Sequence, residues 1–147
     1  MQLVRKLFLA FPFVWFPVIS WGASPEGVWK TIDDETGKER SFVELRVIDG
    51  ELTGVIKDII PLPGDNPDQL CDKCKGELKD QPVVGMRIIW GLTEEDGVWS
   101  GGLVLDPKNG KIYKCKITPS EDGRSLEVRG YLGVSIFGRS QTWYRTP

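Results

Sequence analysis

Short runs in which every second residue is apolar, each closed by turn-forming residues, constrain this chain more than any other feature. In Tyr113-Lys114-Cys115-Lys116-Ile117, Tyr113, Cys115 and Ile117 fall on one side and the two lysines on the other. A period of two marks a strand with one buried and one solvated face. The pattern recurs in Phe42 to Val47, where Val43, Leu45 and Val47 oppose Glu44 and Arg46. Asp49-Gly50 comes next, a pair suited to the positive φ angles of a two-residue hairpin turn, so Leu52 to Ile60 pairs back on that strand.

Other runs extend the series. Val28 to Ile32 comes first and ends in the polar loop Asp33 to Gly37. From Val83 onward, Val84, Met86, Ile88 and Trp90 alternate with Gly85, Arg87 and Ile89. Val98 to Asp106 places Trp99, Gly101, Leu103 and Leu105 on one side, and Asn109-Gly110 turns the chain into the lysine-striped strand. Beyond Glu121-Asp122-Gly123, Leu126, Val128 and Gly130 alternate with Glu127 and Arg129, and the last strand runs from Arg139 to Arg145. Eight antiparallel strands joined mostly by tight turns predict an all-β, up-and-down barrel, whose closure removes exposed sheet edges. A sandwich of two sheets is the alternative. The pattern lapses only between Pro61 and Pro82, one long loop in which Asn66-Pro67 suits the start of a short helical turn carrying Cys71 and Cys74.

The N-terminal residues stand outside this domain. Arg5 and Lys6 precede an uncharged run from Leu7 to Trp21, and Ser20-Trp21-Gly22 offers the small residues a signal peptidase needs. With Pro12 and Pro17 inside it, the run falls short of the roughly 20 apolar residues of a membrane-spanning helix. Residues 1–22 are therefore expected to be a signal peptide and residues 23–147 a single domain, periplasmic or secreted, with no later membrane segment. Without Arg5 and Lys6 the chain keeps 17 of its 19 basic residues against 21 acidic ones, a net charge of −4. That balance, with no basic cluster, offers little to a nucleic-acid backbone. The chain has no histidine, which removes Ser-His and Cys-His catalysis and every imidazole metal site.

Cys71-Asp72-Lys73-Cys74 fits a structural disulfide, a redox pair or half of a zinc site. Zinc lacks ligands, since the one other cysteine, Cys115, points inward. A redox pair normally starts a helix and has a lowered thiol pKa, whereas neighbouring carboxylates here act in the opposite sense. A disulfide that fixes the loop locally is the preferred reading.

Gly27-x-Trp29 at the start of the first strand, with Arg145 at the end of the last, resembles the signature of lipocalin-like (calycin) barrels. More of the chain resembles the bacterial family called domain of unknown function 2147. The matching motifs are Asp49-Gly50-x-Leu52-x-Gly54, Cys71-Asp72-x-Cys74-x-Gly76, Trp99-x-x-Gly102, Asp106-Pro107-x-x-Gly110-x-x-Tyr113, Leu126-x-Val128-Arg129-Gly130-Tyr131 and Trp143-x-Arg145. The resemblance implies a secreted calycin-type barrel and brings no reaction or cofactor. It implies that Trp29 plugs one barrel end with an arginine across its ring, so that Trp29, Trp143 and Arg145 are structural.

A barrel of eight strands either fills itself with side chains or holds one small ligand. The candidate ligand-binding residues are those assigned inward, Met86, Trp90, Trp99, Leu103, Tyr113 and Val128, with Phe137 from the apolar loop Leu132 to Phe137. The site is expected near Trp90, Trp99 and that loop, away from Trp29. The expected partner is a small hydrophobic molecule such as a fatty acid, with Arg139 as a candidate for an acidic head group; alternation puts Arg129 outside. No nucleophile-base set or metal cluster stands out, so no enzyme activity and no cofactor are expected. The competing reading is an envelope interaction module with a solid core.

Overall fold

The computed structural model describes residues 22–147, so the expected signal peptide lies outside the described residues except for Gly22. Eight strands run in chain order: β1 (Gly27–Ile32), β2 (Glu39–Ile48), β3 (Glu51–Ile59), β4 (Arg87–Glu95), β5 (Val98–Asp106), β6 (Lys111–Pro119), β7 (Ser125–Tyr131) and β8 (Gly138–Arg145). Each pairs antiparallel with its sequence neighbour, and β8 returns to β1, closing the barrel. The Asp49-Gly50 turn behaves as the sequence predicts, with φ of 52° and 80° at the two residues. The turns at Asp49, Asp96 and Ser120 gather at one end with residues 22–26 and 146–147. The 60–86 loop, the 107–110 turn and the 132–137 loop gather at the other.

The first end is closed and solid. Trp29, Leu45, Leu52, Leu92, Ile117 and Leu126 are fully buried there. Residues 22–26 cross beneath the barrel as a strap, and the Trp29 Nε1 donates to the Pro25 carbonyl at 2.8 Å. The Arg145 guanidinium lies 4.2 Å from the centre of the Trp29 ring. Its nitrogens donate to the carbonyls of Ser24, Glu26 and Gly123 at 2.7–2.8 Å. One side chain thus ties the strap, β8 and the 120–124 turn to the tryptophan.

The seam between β1 and β8 is short. Its ladder holds two residue pairs, Trp29 with Arg145 and Lys30 with Tyr144, against eight between β2 and β3. Thr146 extends it through its N–H and hydroxyl, both bonded to the Val28 carbonyl.

Register irregularities, two in the β3–β4 ladder and one in the β5–β6 ladder, overturn the alternation expected for β4 and β5. Trp99 pairs with Ile117 and Gly102 with Cys115, so β5 spends one residue more than β6 over that span, with Gly101 at φ 83°. One extra residue reverses which face the next side chains occupy. Gly102 and Val104 consequently share the inner side with Cys115, and Leu103 turns out, 37 % exposed. In β4 the pairs Gly54 with Ile89 and Val55 with Arg87 leave Ile88 as the extra residue. Ile89 therefore points inward, and Trp90, paired with Leu103, sits half-buried on the outer side.

The long loop differs from expectation in two respects. The strand begins at Arg87 rather than Val83, because Val83 to Gly85 form a turn after the Leu70–Pro82 bridge. No helical turn starts at Pro67; a 3₁₀ turn instead comes after the cysteines at Gly76–Leu78. Cys71 and Cys74 form a disulfide and are both buried. The loop packs so tightly on the β5–β6 turn that a Cβ on Gly110 would overlap the Lys73 carbonyl.

Candidate functional site

Above the solid layer the barrel is hollow. A cavity of about 850 Å³ opens between the long loop, the 107–110 turn and the 132–137 loop. None of the six fully buried residues of the closed end lines it.

The cavity has two kinds of wall. Five consecutive strands contribute apolar side chains: Ile56 from β3, Ile88 from β4, Val104 from β5, Tyr113 from β6 and Val128 from β7. The remaining three, β8, β1 and β2, contribute Arg139, Gln141, Thr31 and Ser41. The register explains the stripe. Thr31 lies opposite Ser41, and their hydroxyls bond at 2.8 Å, while Gln141 sits two residues above Trp143 on the inner face of β8. Trp143 belongs to the floor, its Nε1 donating to the Gln141 side-chain oxygen at 3.1 Å. Gly130 leaves space beside Tyr113 and Val104, because it carries no side chain into the cavity.

At the mouth, side chains take over where the β1–β8 ladder stops. The Asp34 carboxylate accepts from Arg139 at 2.6–2.8 Å and from the Gln141 amide at 3.2 Å. Arg139 also reaches Glu35, and Lys108 bridges Asp33 and Glu35 at 3.4–3.6 Å. On the facing rim Arg40 pairs with Asp65 at 3.0 Å. For Asp34, burial is the largest single influence and raises the pKa. The hydrogen bonds from Arg139, Gln141 and a backbone N–H, with the charge of Arg139, together outweigh it and hold the carboxyl below its usual 3.8. Asp33 is likewise lowered: burial acts upward, and the Thr36 and Glu35 backbone N–H groups with Lys108 outweigh it.

A depressed carboxylate pKa means the folded state prefers the charged form. The resulting stability is present above about pH 4 and is lost as pH falls through the lower, folded-state values. Acidification from pH 6 to 3 is therefore expected to lower the thermal midpoint, with a shallower slope in Asp34→Asn than in the unsubstituted protein. Equal slopes in the two proteins would remove Asp34 from the seam.

The sequence-predicted candidates divide by position. Tyr113 and Val128 line the cavity, and Phe137 stands at its mouth, 80 % exposed. Met86 is buried in the core beside β3, its carbonyl accepting from the Ile56 N–H, and does not reach the cavity. Trp99 faces inward but at the start of β5, in the closed half, which corrects its placement near the open end. Trp90 and Leu103 are on the outer face because of these bulges. Arg129 is on the outer face of β7, where it meets the Ser140 hydroxyl at 2.9 Å. Sequence reasoning singled out Arg139 and missed the rest of the polar stripe. Its members are brought together by closure, Asp34 and Arg139 being 105 positions apart, and no local spacing announces them.

Cys115 lies fully buried between Gly102 and Gly130, and burial pushes its thiol up to about 12. A thiol held neutral and enclosed is an inert core residue. Among the described residues no three acidic or cysteine side chains are grouped to hold a metal ion, and no helix is long and apolar enough to cross a membrane.

The family described as "Uncharacterized protein conserved in bacteria (DUF2147)" matches residues 27–145. A solved structure from the human pathogen Helicobacter pylori, described as a protein that belongs to the lipocalin family, aligns with a TM-score of 0.73. The two chains are 20% identical, over 85% of this one and 84% of that one. At that identity the likeness is one of fold. No curated protein matches the chain.

Proposed function

From the premise that this chain belongs to the bacterial family of domain of unknown function 2147, we propose that it is a non-enzymatic carrier. It binds one small amphipathic molecule in the open half of its barrel. The observation that carries this reading is the cavity, about 850 Å³ with an apolar wall and a polar stripe. Sites for small molecules span about 300–1,000 Å³, are mostly apolar and place a few polar groups to fix orientation. A chain or ring system would lie against Ile56, Ile88, Val104 and Val128, while its polar end meets Thr31, Ser41 and Gln141. Arg139 is engaged by Asp34 and Glu35, so an acidic ligand group competes with those carboxylates for it. That arrangement favours hydroxyl, amide or weakly acidic heads over strongly anionic ones.

A binding role is also supported by the state of the carboxylates. Asp33 and Asp34 at the mouth are held charged in ion pairs, where a general acid or base needs a pKa near the working pH. The leader-like residues 5–22 and the Cys71–Cys74 disulfide support a periplasmic or secreted location, since disulfides persist in oxidising compartments.

Native mass spectrometry of protein purified from its own cells, combined with displacement of a fluorescent fatty acid, tests the reading. A co-purifying mass, or displacement that saturates at one site per chain, is the expected result. The absence of both a bound mass and displacement by any amphipathic competitor would overturn it.

A further inference from the structure

Exposed apolar side chains are not spread evenly over this barrel. Leu132, Val134, Ile136 and Phe137 are 59–80 % exposed on a single loop at the open end, with Ile112 close by on β6. Beside them runs a groove of about 390 Å³ between the disulfide loop and the start of β6. It is lined by Lys73, Lys75 and Lys111, with Leu132 and Ile112, and by no carboxylate. None of the three lysines forms an ion pair with a described carboxylate. A fourth cation, Lys114, reaches the Gly133 carbonyl at 3.4 Å and so sits under the same loop. Of the acidic residues at this end, Asp33, Asp34, Asp68, Asp72 and Asp106 line the cavity, with Asp33 and Asp34 already paired with Lys108 and Arg139; on the disulfide loop Asp80 is paired with Lys79, and Glu77 lies outside the groove lining.

We propose that the open end of the barrel docks on an anionic lipid bilayer. The 132–137 loop enters the boundary between head groups and acyl chains, and Lys73, Lys75 and Lys111 receive the phosphates. Two independent features meet in this assignment. A protruding loop that presents four apolar side chains to water is unfavourable unless something covers it. A carboxylate-free lysine groove at its base attracts a surface of negative charge. Apolar side chains with lysines at their margin are the composition by which proteins hold to a membrane interface without crossing it. The docked orientation turns the cavity mouth, which Leu132 shares with the groove, toward the lipid. The proposal does not depend on the carrier reading, because it concerns an outer surface.

The test is co-sedimentation of the purified protein with vesicles of phosphatidylcholine alone or mixed with phosphatidylglycerol, beside sedimentation velocity without vesicles. Binding to the mixed vesicles only, weakened by salt, is the expected result. Val134→Ser with Ile136→Ser is expected to lower partitioning at least about tenfold, both positions being exposed and outside the cavity lining. Replacing Lys75 and Lys111 together by Gln, both outside the cavity lining, is expected to lower it about thirtyfold. Both variants should keep the thermal midpoint and fatty-acid displacement of the parent, which separates this surface from the ligand site. No binding to mixed vesicles overturns the proposal, as does binding that ignores lipid charge. A dimer that Val134→Ser with Ile136→Ser dissolves, while vesicles stay unbound, makes a second copy the occupant and also overturns it.

Discussion

Trp29→Ala is expected to lower the free energy of unfolding by about 3–5 kcal/mol, the range of large truncations in a packed core, read from urea denaturation at neutral pH. The indole is fully buried in the solid end, and its removal leaves a void that backbone ladders on both sides prevent from collapsing. Two further losses add to the cavity. The Pro25 carbonyl loses its indole donor, and the Arg145 guanidinium loses the ring it stacks on, a contact of about 1 kcal/mol where partly desolvated. Arg145→Lys is the informative partner. It keeps the charge but cannot supply the fork that reaches Ser24, Glu26 and Gly123 together. The folded fraction of Trp29→Ala should still displace a fluorescent fatty acid as the parent does. A Trp29→Ala protein with parental denaturation midpoint and abolished displacement would place the ligand at the wrong end of the barrel.

Gly130→Leu is expected to have the opposite profile, with affinity for the fatty-acid probe reduced at least about tenfold and the denaturation midpoint nearly unchanged. Gly130 lines the cavity, and a Cβ there would meet Tyr113 at 3.6 Å and Val104 at 3.7 Å, ordinary van der Waals contacts. Its backbone is not in the left-handed region that only glycine adopts freely. A leucine is thus accommodated by the fold and projects into the space the ligand needs, where overlap rather than lost attraction sets the penalty. Unchanged displacement by Gly130→Leu would move the site out of the cavity. Together the two substitutions separate a half that holds the protein together from a half that is free to bind.

Much of this architecture is legible in the residues because local and global requirements agree. The Asp49-Gly50 turn, the inward set Tyr113, Cys115 and Ile117, and Trp29 beside Arg145 each satisfy a backbone rule and a burial rule at once. Where alternation misleads, one residue is responsible. The extra residues at Ile88 and in the Trp99–Gly102 stretch each reverse the face of the side chains after them, so Trp90 and Leu103 lie outside although they sit in alternating runs. Gly101 within the strand is the available signal, since glycine in a strand interior often marks a bulge. The polar stripe is illegible for another reason. Asp34 reads as part of a hydrophilic turn and Arg139 as the start of a strand, and only the closed barrel brings them to 2.6 Å.

The strap at the closed end also orders events in time. Arg145 binds the carbonyls of Ser24 and Glu26, up to 121 positions earlier in the chain. Until it is available, β1 keeps an open edge and the tryptophan lacks its cover, so closure is the step on which the seam and that cover wait. Joining ends so far apart costs entropy before the seam returns any of it, and topologies dominated by such contacts fold slowly, in milliseconds to seconds. The chain therefore remains a set of hairpins, with β1 unpaired on one side, for as long as β8 is out of reach.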